Sequence, residues 1–409
     1  MGACDTCPAL PVTWHDTENP MNSPPVNLEN HGRNLLYIVD WLPPDFGAVG
    51  QYALKWCRTR AAQGDDVVLL GLTTGPDSIT EHVAAAGQPP IKGRLRVVKI
   101  HCDAGDKAGL ARRSLWTLRT NLRLVGAAWP WLGWAQDIRF TGSPPFLVHL
   151  LAPLNRAFGK RLIYRIADFH PECLMAALGR TPWPLELFYR LTLAWRRTVS
   201  RFEVLGEDQR QRLLDIGIEA ERIVLDRDSS PVSITPQTQP LALPPELGGH
   251  AVLLYSGNFG IAHDYETFLG GYRLHHREGV GKVKLWLCAK GVHADKLAAS
   301  LEAENLPFYR SGPVPVEQLA SLLVTPHAHL ITLRDGFWGY VMPSKSYGCA
   351  QSGKDVLFIG DERSDAHLIC SQRPKGGRYW RVGTGDSKGV ASVLDILCAR
   401  AGLEVWQST

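Results

Sequence analysis

AVLLYSGNFG, residues 251–260, is the stretch on which the fold turns. A short apolar run that breaks into Gly-Asn-Phe-Gly, with a helical pattern behind it, reads as a buried parallel strand feeding a glycine turn and a helix. Such a turn has two readings. The glycines admit a diphosphate close to the backbone at a helix N-terminus, or they simply let strand and helix pack. Downstream the same grammar repeats: KLWLCA at 284–289, then apolar runs at 308–311, 329–333 and 356–359, with helical spacing between them. That is a parallel α/β domain.

Upstream lies a second set. NLLYIVD at 34–40 runs into a Pro/Gly loop at 42–50, and residues 51–63 carry helical spacing. Strands follow at 66–72, 94–100, 137–141, 161–167 and 202–205. Residues 226–250 are rich in Pro, Ser, Thr and Gln and read as a linker. The expected organisation is a loose tail over 1–33, an α/β domain over 34–225, the linker, a second α/β domain over 251–385, and a C-terminal helix within 386–409 packing back on the first domain. Two open sheets facing each other put a ligand cleft between the carboxyl ends of their strands.

Bulk composition narrows the function. The 409 residues are 45% hydrophobic and 21% charged, with a formal net charge of +4, too small to argue for nucleic acid. Nine cysteines lack regular spacing, and Cys57, Cys288 and Cys398 sit in apolar runs as reduced core residues, which favours the cytoplasm. Cys4 and Cys7 form a lone CxxC without a second pair, so no zinc site is expected. The leader has no apolar signal core. No run reaches the roughly 18 to 20 apolar residues of a spanning helix.

The motifs gain meaning from their order. After the glycine loop come Ser311-Gly312-Pro-Val, Asp335-Gly-Phe-Trp-Gly339, Pro343-Ser-Lys-Ser-Tyr347 and Gly353-Lys before an apolar strand. In the first half stand Leu42-Pro-Pro-Asp-Phe-Gly-Ala-Val-Gly50, Gly142-Ser-Pro-Pro-Phe146 and Ala167-Asp-Phe-His-Pro-Glu172. This series, from about residue 34 to about 370, resembles the family 4 glycosyltransferases, especially bacterial polysaccharide and O-antigen enzymes similar to N-acetyl-L-fucosamine transferases.

The resemblance implies the two-domain GT-B fold, two Rossmann-like parallel-sheet domains facing across a cleft. It also implies a retaining glycosyltransferase that takes a UDP-linked sugar donor and needs no metal or other cofactor. Donor-binding residues on this reading are Gly257, Asn258, Phe259, Gly260, Lys290, Gly312, Phe337, Pro343, Ser344 and Tyr347. Lys345, with the N–H groups of the glycine loop, is expected to stabilise the departing diphosphate. Asp168 and His170 are the candidates for contact with the reacting hydroxyl, although an Asp before an apolar helix is as often a cap. Gly47, Gly50 and Glu172 fall on the acceptor side. One departure stands out: Gly348 occupies the place where the family carries a glutamate for the ribose hydroxyls.

Two segments suggest where the acceptor comes from. Residues 112–134 combine Arg112, Arg113, Arg119 and Arg123 with Trp116, Trp129, Trp131 and Trp134, and residues 183–201 mix Trp, Tyr and Leu with arginines. The acceptor expected is a glycan or lipid-linked one; basic, aromatic amphipathic stretches suit an anionic membrane surface, which a lipid-linked acceptor would explain, and equally the tryptophans pack in a core and the arginines are solvated. A soluble small-molecule acceptor and a non-catalytic nucleotide-sugar-binding protein are the alternatives. A dinucleotide oxidoreductase is disfavoured, because no full GxGxxG with its later acidic partner is present.

Overall fold

A computed structural model of the chain describes residues 32–45, 48–86, 91–103, 110–228, 230–373 and 376–403. Gly47, Cys4 and Cys7 lie outside the described residues. The first sheet is built, in chain order, from β1 (Asn34–Trp41), β2 (Asp66–Thr73), β3 (Ser78–Ala86), β4 (Ile91–His101), β5 (Asp137–Thr141), β6 (Arg161–Ile166), β7 (Arg201–Val204) and β8 (Ile223–Leu225). Its spatial order is β3-β4-β2-β1-β5-β6-β7-β8, parallel except for the antiparallel edge pair β3–β4. The chain therefore winds outward in both directions from the β1/β5 junction, and a crevice opens where the direction reverses.

Alternation along the strands separates two cores. Leu36, Ile38, Val68 and Leu70 face α2 (Leu110–Leu132) and α3 (Val148–Phe158), whereas Leu35, Tyr37, Val39 and Leu69 face α1 (Ala48–Ala62). Further along lie α4 (Glu172–Leu178), α5 (Trp183–Arg196) and α6 (Glu207–Asp215). Gly50 is required at the start of α1, because a Cβ there would run into the carbonyl oxygen of Trp41.

The second sheet contains β9 (Ala251–Asn258), β10 (Val283–Lys290), β11 (Phe308–Ser311), β12 (Ala328–Thr332), β13 (Asp355–Ile359) and β14 (Tyr379–Val382), in the all-parallel order β11-β10-β9-β12-β13-β14. Its helices are α7 (Glu266–Arg277), α8 (Val292–Ala303), α9 (Val316–Val324), α10 (Lys345–Gln351), α11 (Asp365–Ser371) and α12 (Ser387–Arg400). Here the switch lies between β9 and β12.

The last helix departs from expectation. Instead of returning to the first domain, α12 lies against α7 and buries Val390, Leu394 and Leu397 in the second core. Gly270 and Gly271 of α7 make this possible, since Cβ atoms there would collide with Ser387 and Val390. Each fully buried Val or Leu contributes roughly 1.5–3 kcal/mol, and α12 finds its matching apolar face on α7.

Beneath the cleft the two halves share one apolar cluster. Cys173 of α4 and Leu205 after β7 pack with Ile331, Val356, Phe358 and Tyr347 of the second half. The described helices include none long and apolar enough to cross a membrane.

Candidate active site

The loop after β6 crosses to the other domain. Asp168 forms an antiparallel bridge with Val341, and the Phe169 N–H donates to the Tyr340 carbonyl at 2.9 Å. This pairing holds the Asp168 backbone against Val341, four residues before the start of α10 at Lys345, so the loop bearing the first half's candidate acid/base is tied to the segment that leads into Lys345.

Asp168 keeps its side chain exposed in the cleft, although protein surrounds it. Those low-dielectric walls, and then the neighbouring charge of Asp40, push its carboxyl up to about 6. Asp40, the last core-side residue of β1 before its terminal Trp41, is also pushed up to about 6 by burial. Its Oδ2 accepts from the Ser143 hydroxyl at 2.6 Å, while its Oδ1 is buried without a partner. Asp40, Ser143 and Asp168 thus cluster at the carboxyl ends of β1, β5 and β6, on the first sheet's switch point. In the sequence Asp40 belongs to no motif, and its one signal is a lone acid ending an apolar strand.

His170 follows on the same loop. Burial lowers its pKa to about 4, so it is neutral at pH 7 and serves as a hydrogen-bonding group or base. Glu172 is different. It is 4% exposed and locked to Arg196, whose Nη2 donates to its Oε2 at 3.0 Å and to the His170 carbonyl at 3.0 Å. Its carboxylate is spent on that pair, and it supports the loop from below instead of facing an acceptor.

In the second half, the carboxyl ends of β9 and β10 meet. Asn258 pairs in register with Lys290, the Phe259 N–H donates to the Lys290 carbonyl at 2.7 Å, and both Asn258 and Lys290 have exposed side chains. Gly257 takes φ +100°, a conformation that needs glycine. Gly260 and Gly312 keep the surroundings open; a Cβ at Gly312 would touch nothing within 4 Å. Ser344 is exposed beside α10, and Pro343 is buried at its entrance.

Three of the expected donor residues are core. Phe259 is fully buried and stacked on Tyr255 at 3.9 Å, Phe337 is 1% exposed, and Tyr347 is buried with its hydroxyl donating to the Leu205 carbonyl at 3.4 Å. Their rings shape the loops and offer no face to a ligand. Gly348 is equally enclosed. A Cβ there would meet Leu323 Cδ1 at 2.9 Å and approach Ser230 Oγ at 3.6 Å, so an acidic side chain has no room unless Leu323 moves.

Lys345 begins α10 as expected, but its amine turns inward. Nζ lies 3.2 Å from the centre of the Tyr255 ring, is buried, and has no hydrogen-bond partner. Burial depresses its pKa well below that of a free lysine, and the nearby amine in turn helps to keep buried His263 neutral. An amine against a ring face with no hydrogen-bond partner is an incompletely satisfied buried polar group.

Two facing parallel-dominated sheets, with a glycine turn and lysines at one set of strand ends and carboxylates at the other, make the architecture of a GT-B fold. No family model matches the chain. The "Probable glycosyltransferase WbjE" of Pseudomonas aeruginosa is 23% identical over 272 residues, covering 64% of this chain and 66% of that protein. The fold is similar to sucrose-phosphate synthase of Thermosynechococcus elongatus, with a TM-score of 0.64, 13% identity and 91% of each chain covered. It is also similar to Alr3699/HepE of Anabaena in complex with UDP and glucose, with a TM-score of 0.57, 10% identity and 90% of each chain covered. An α,α-trehalose-phosphate synthase (UDP-forming) of Burkholderia vietnamiensis gives 0.56 at 13% identity, over 91% of this chain and 92% of that one. The chain has the GT-B fold of these structures, and in sequence it is similar to a probable glycosyltransferase of which it spans 66%.

Proposed function

We propose that the protein moves a sugar, with retained anomeric configuration, from a UDP-linked donor to a glycan or lipid-linked acceptor in polysaccharide biosynthesis. The observation that carries this is the Lys345 amine, buried without a hydrogen-bond partner four residues beyond Val341, whose backbone bridges to Asp168. The donor diphosphate lies at Gly257–Gly260, Lys290 and Lys345. As the glycosidic bond breaks, negative charge grows on the leaving diphosphate, and these groups take it without a metal. The acceptor hydroxyl stands at Asp168 and His170; its oxygen bonds the anomeric carbon on the face the diphosphate leaves, the bond to the diphosphate oxygen breaks with its electron pair going to the diphosphate, and the hydroxyl proton passes to the Asp168 carboxylate. UDP is favoured because HepE was solved with UDP and glucose and the trehalose-phosphate synthase is named UDP-forming.

The enzyme works at the cytoplasmic face of a membrane. On α2, Leu115, Leu118, Leu122 and Trp129 are 47%, 51%, 53% and 56% exposed, and Arg112, Arg119 and Arg123 are exposed beside them. Apolar residues at helical spacing, flanked by guanidinium groups, suit an anionic bilayer. Trp116, Trp131 and Trp134 instead pack against the core, so the exposed stripe is narrower than the tryptophan count suggests.

A soluble phosphorylated sugar as acceptor is the second reading, favoured by the sucrose-phosphate and trehalose-phosphate synthase neighbours. Incubation with UDP-sugars and either lipid-linked or soluble saccharides tests both. UDP release that depends on a lipid-linked acceptor, with a retained product anomer by NMR, supports the first; release only with sugar phosphates supports the second; no UDP-sugar binding at all rejects both.

A further inference from the structure

Beside Asp168 the first domain carries an aromatic group that the transfer chemistry does not use. Phe188 of α5 stacks on His149 of α3 with ring centres 4.6 Å apart and planes 7° from parallel. Phe146 stands edge-on to Phe188 at 5.0 Å and to His170 at 5.9 Å, and all three rings of the group are only half-buried. The ring of His149 is fixed in place. The Thr192 hydroxyl spends its proton on the Phe188 carbonyl at 2.9 Å, so His149 Nε2, 2.9 Å from Thr192 Oγ1, is the donor there.

Phe146 holds this position at a cost. Its φ is +71°, in the left-handed region that non-glycine residues avoid, and bulky residues held there mark sites where the side chain is needed. Burial lowers the pKa values of His149 and His170 to about 4, so the group carries no charge at neutral pH. The same helix that supplies Phe188 turns Trp183, Leu187 and Leu191 outward, 78%, 62% and 46% exposed. Exposed Arg180 and Arg197 flank this face. An uncharged track thus runs from the exposed face of α5, across Phe188 and Phe146, to His170 and Asp168.

We propose that Phe146, His149 and Phe188 form a shelf that seats the apolar chain of a phosphate-bearing lipid, holding its saccharide at Asp168. The assignment rests on the lipid-linked reading of the acceptor. A chain of isoprenoid or acyl type fits the uncharged rings, and the flanking guanidinium groups suit its phosphate.

The test is titration of the full chain with farnesyl phosphate below its aggregation threshold, followed calorimetrically, in wild type, Phe146→Gly, Phe188→Ser and Ile79→Ser. Glycine suits φ +71°, so Phe146→Gly keeps the fold even if Phe188→Ser does not. Ile79 is an exposed apolar residue on the distant edge strand and reports non-specific adsorption. The expected result is binding by wild type and Ile79→Ser, weakened about tenfold in Phe146→Gly. Equal affinity in wild type and Phe146→Gly, an equal loss in Ile79→Ser, or no binding to wild type overturns the shelf. Transfer to soluble acceptors alone would reject the lipid-linked reading through a separate assay, so the two failures are told apart.

Discussion

Arg227 of the linker forks onto Asp365 at the head of α11, with Nε 3.0 Å from Oδ2 and Nη2 2.8 Å from Oδ1. Its neighbours Asp226 and Asp228 turn the other way and pair with Arg165 of β6, in the first sheet. Three consecutive linker residues therefore bolt alternately to the two domains. Asp365 has no solvent exposure and also accepts from the Glu207 N–H at 3.0 Å.

Arg227→Met strands the buried Asp365 charge, and we expect a loss of about 3 kcal/mol, at the low end for breaking such a pair because Arg227 is partly exposed. Arg227→Lys should recover only part of it, since an ammonium cannot make the two-pronged contact. Denaturant unfolding of the three forms checks this, and equal midpoints would refute it.

Lys345→Met should stabilise the protein and damage its function. The buried amine has no partner, and replacing it with an apolar chain of similar length should add about 1–2 kcal/mol. Because its folded pKa lies well below the ordinary 10.5, the native state binds fewer protons than the unfolded chain. Wild-type stability should therefore rise with pH through that window, and the Met variant should lose the slope. Donor affinity, read by thermal shift with UDP-sugars, should fall at least about tenfold. A variant that is less stable and binds donor normally would remove Lys345 from the site.

Much of the fold could be read in the sequence because buried parallel strands are short apolar runs ending in punctuation. β1, β2, β9, β10 and β13 all have that form. β3 escaped notice because SITEHVAAA is weakly β-forming and sits at an edge, where pairing with β4 alone holds it. β8 cannot be read because three residues leave no periodicity, and β14 because its YWRV is broken by Arg381 inside a stretch rich in Gly and Arg. For the site, sequence order located the loops but could not say which side chains turn inward. Phe259, Phe337, Tyr347 and Glu172 sit in the right loops with their functional groups pointed into packing. The reverse holds for Asp40, whose role depends on Ser143, 103 residues away.

Asp40 and Asp168 make a pH-dependent pair of predictions. With both carboxyls pushed up to about 6 from 3.8, the native state holds protons that the unfolded chain has released, so stability falls as pH rises from about 4 to about 6. Asp40→Asn should gain up to about 3 kcal/mol at pH 7.5 and nothing at pH 4. On the role proposed for Asp168, transfer needs its ionised form, so kcat/KM should climb through pH 6, and Asp168→Asn should lose transfer at every pH while still binding donor. A flat profile between pH 5 and 7 would count against Asp168.

Glu172 allows a direct contest between sequence and structure. By position in its motif it belongs to the acceptor side, whereas the fold gives its whole carboxylate to fully buried Arg196. If packing is its role, Glu172→Gln leaves Arg196 charged and uncompensated, at a cost of about 3–5 kcal/mol. Arg196 also holds the His170 carbonyl, so the loop bearing Asp168 and His170 should shift, lowering kcat while leaving donor affinity intact. Converting both partners to leucine should restore much of the stability, because neither charge is then stranded. Unfolding midpoints and steady-state kinetics of the single and double variants decide the matter: a stable Glu172→Gln enzyme with a raised acceptor KM would return Glu172 to the acceptor site.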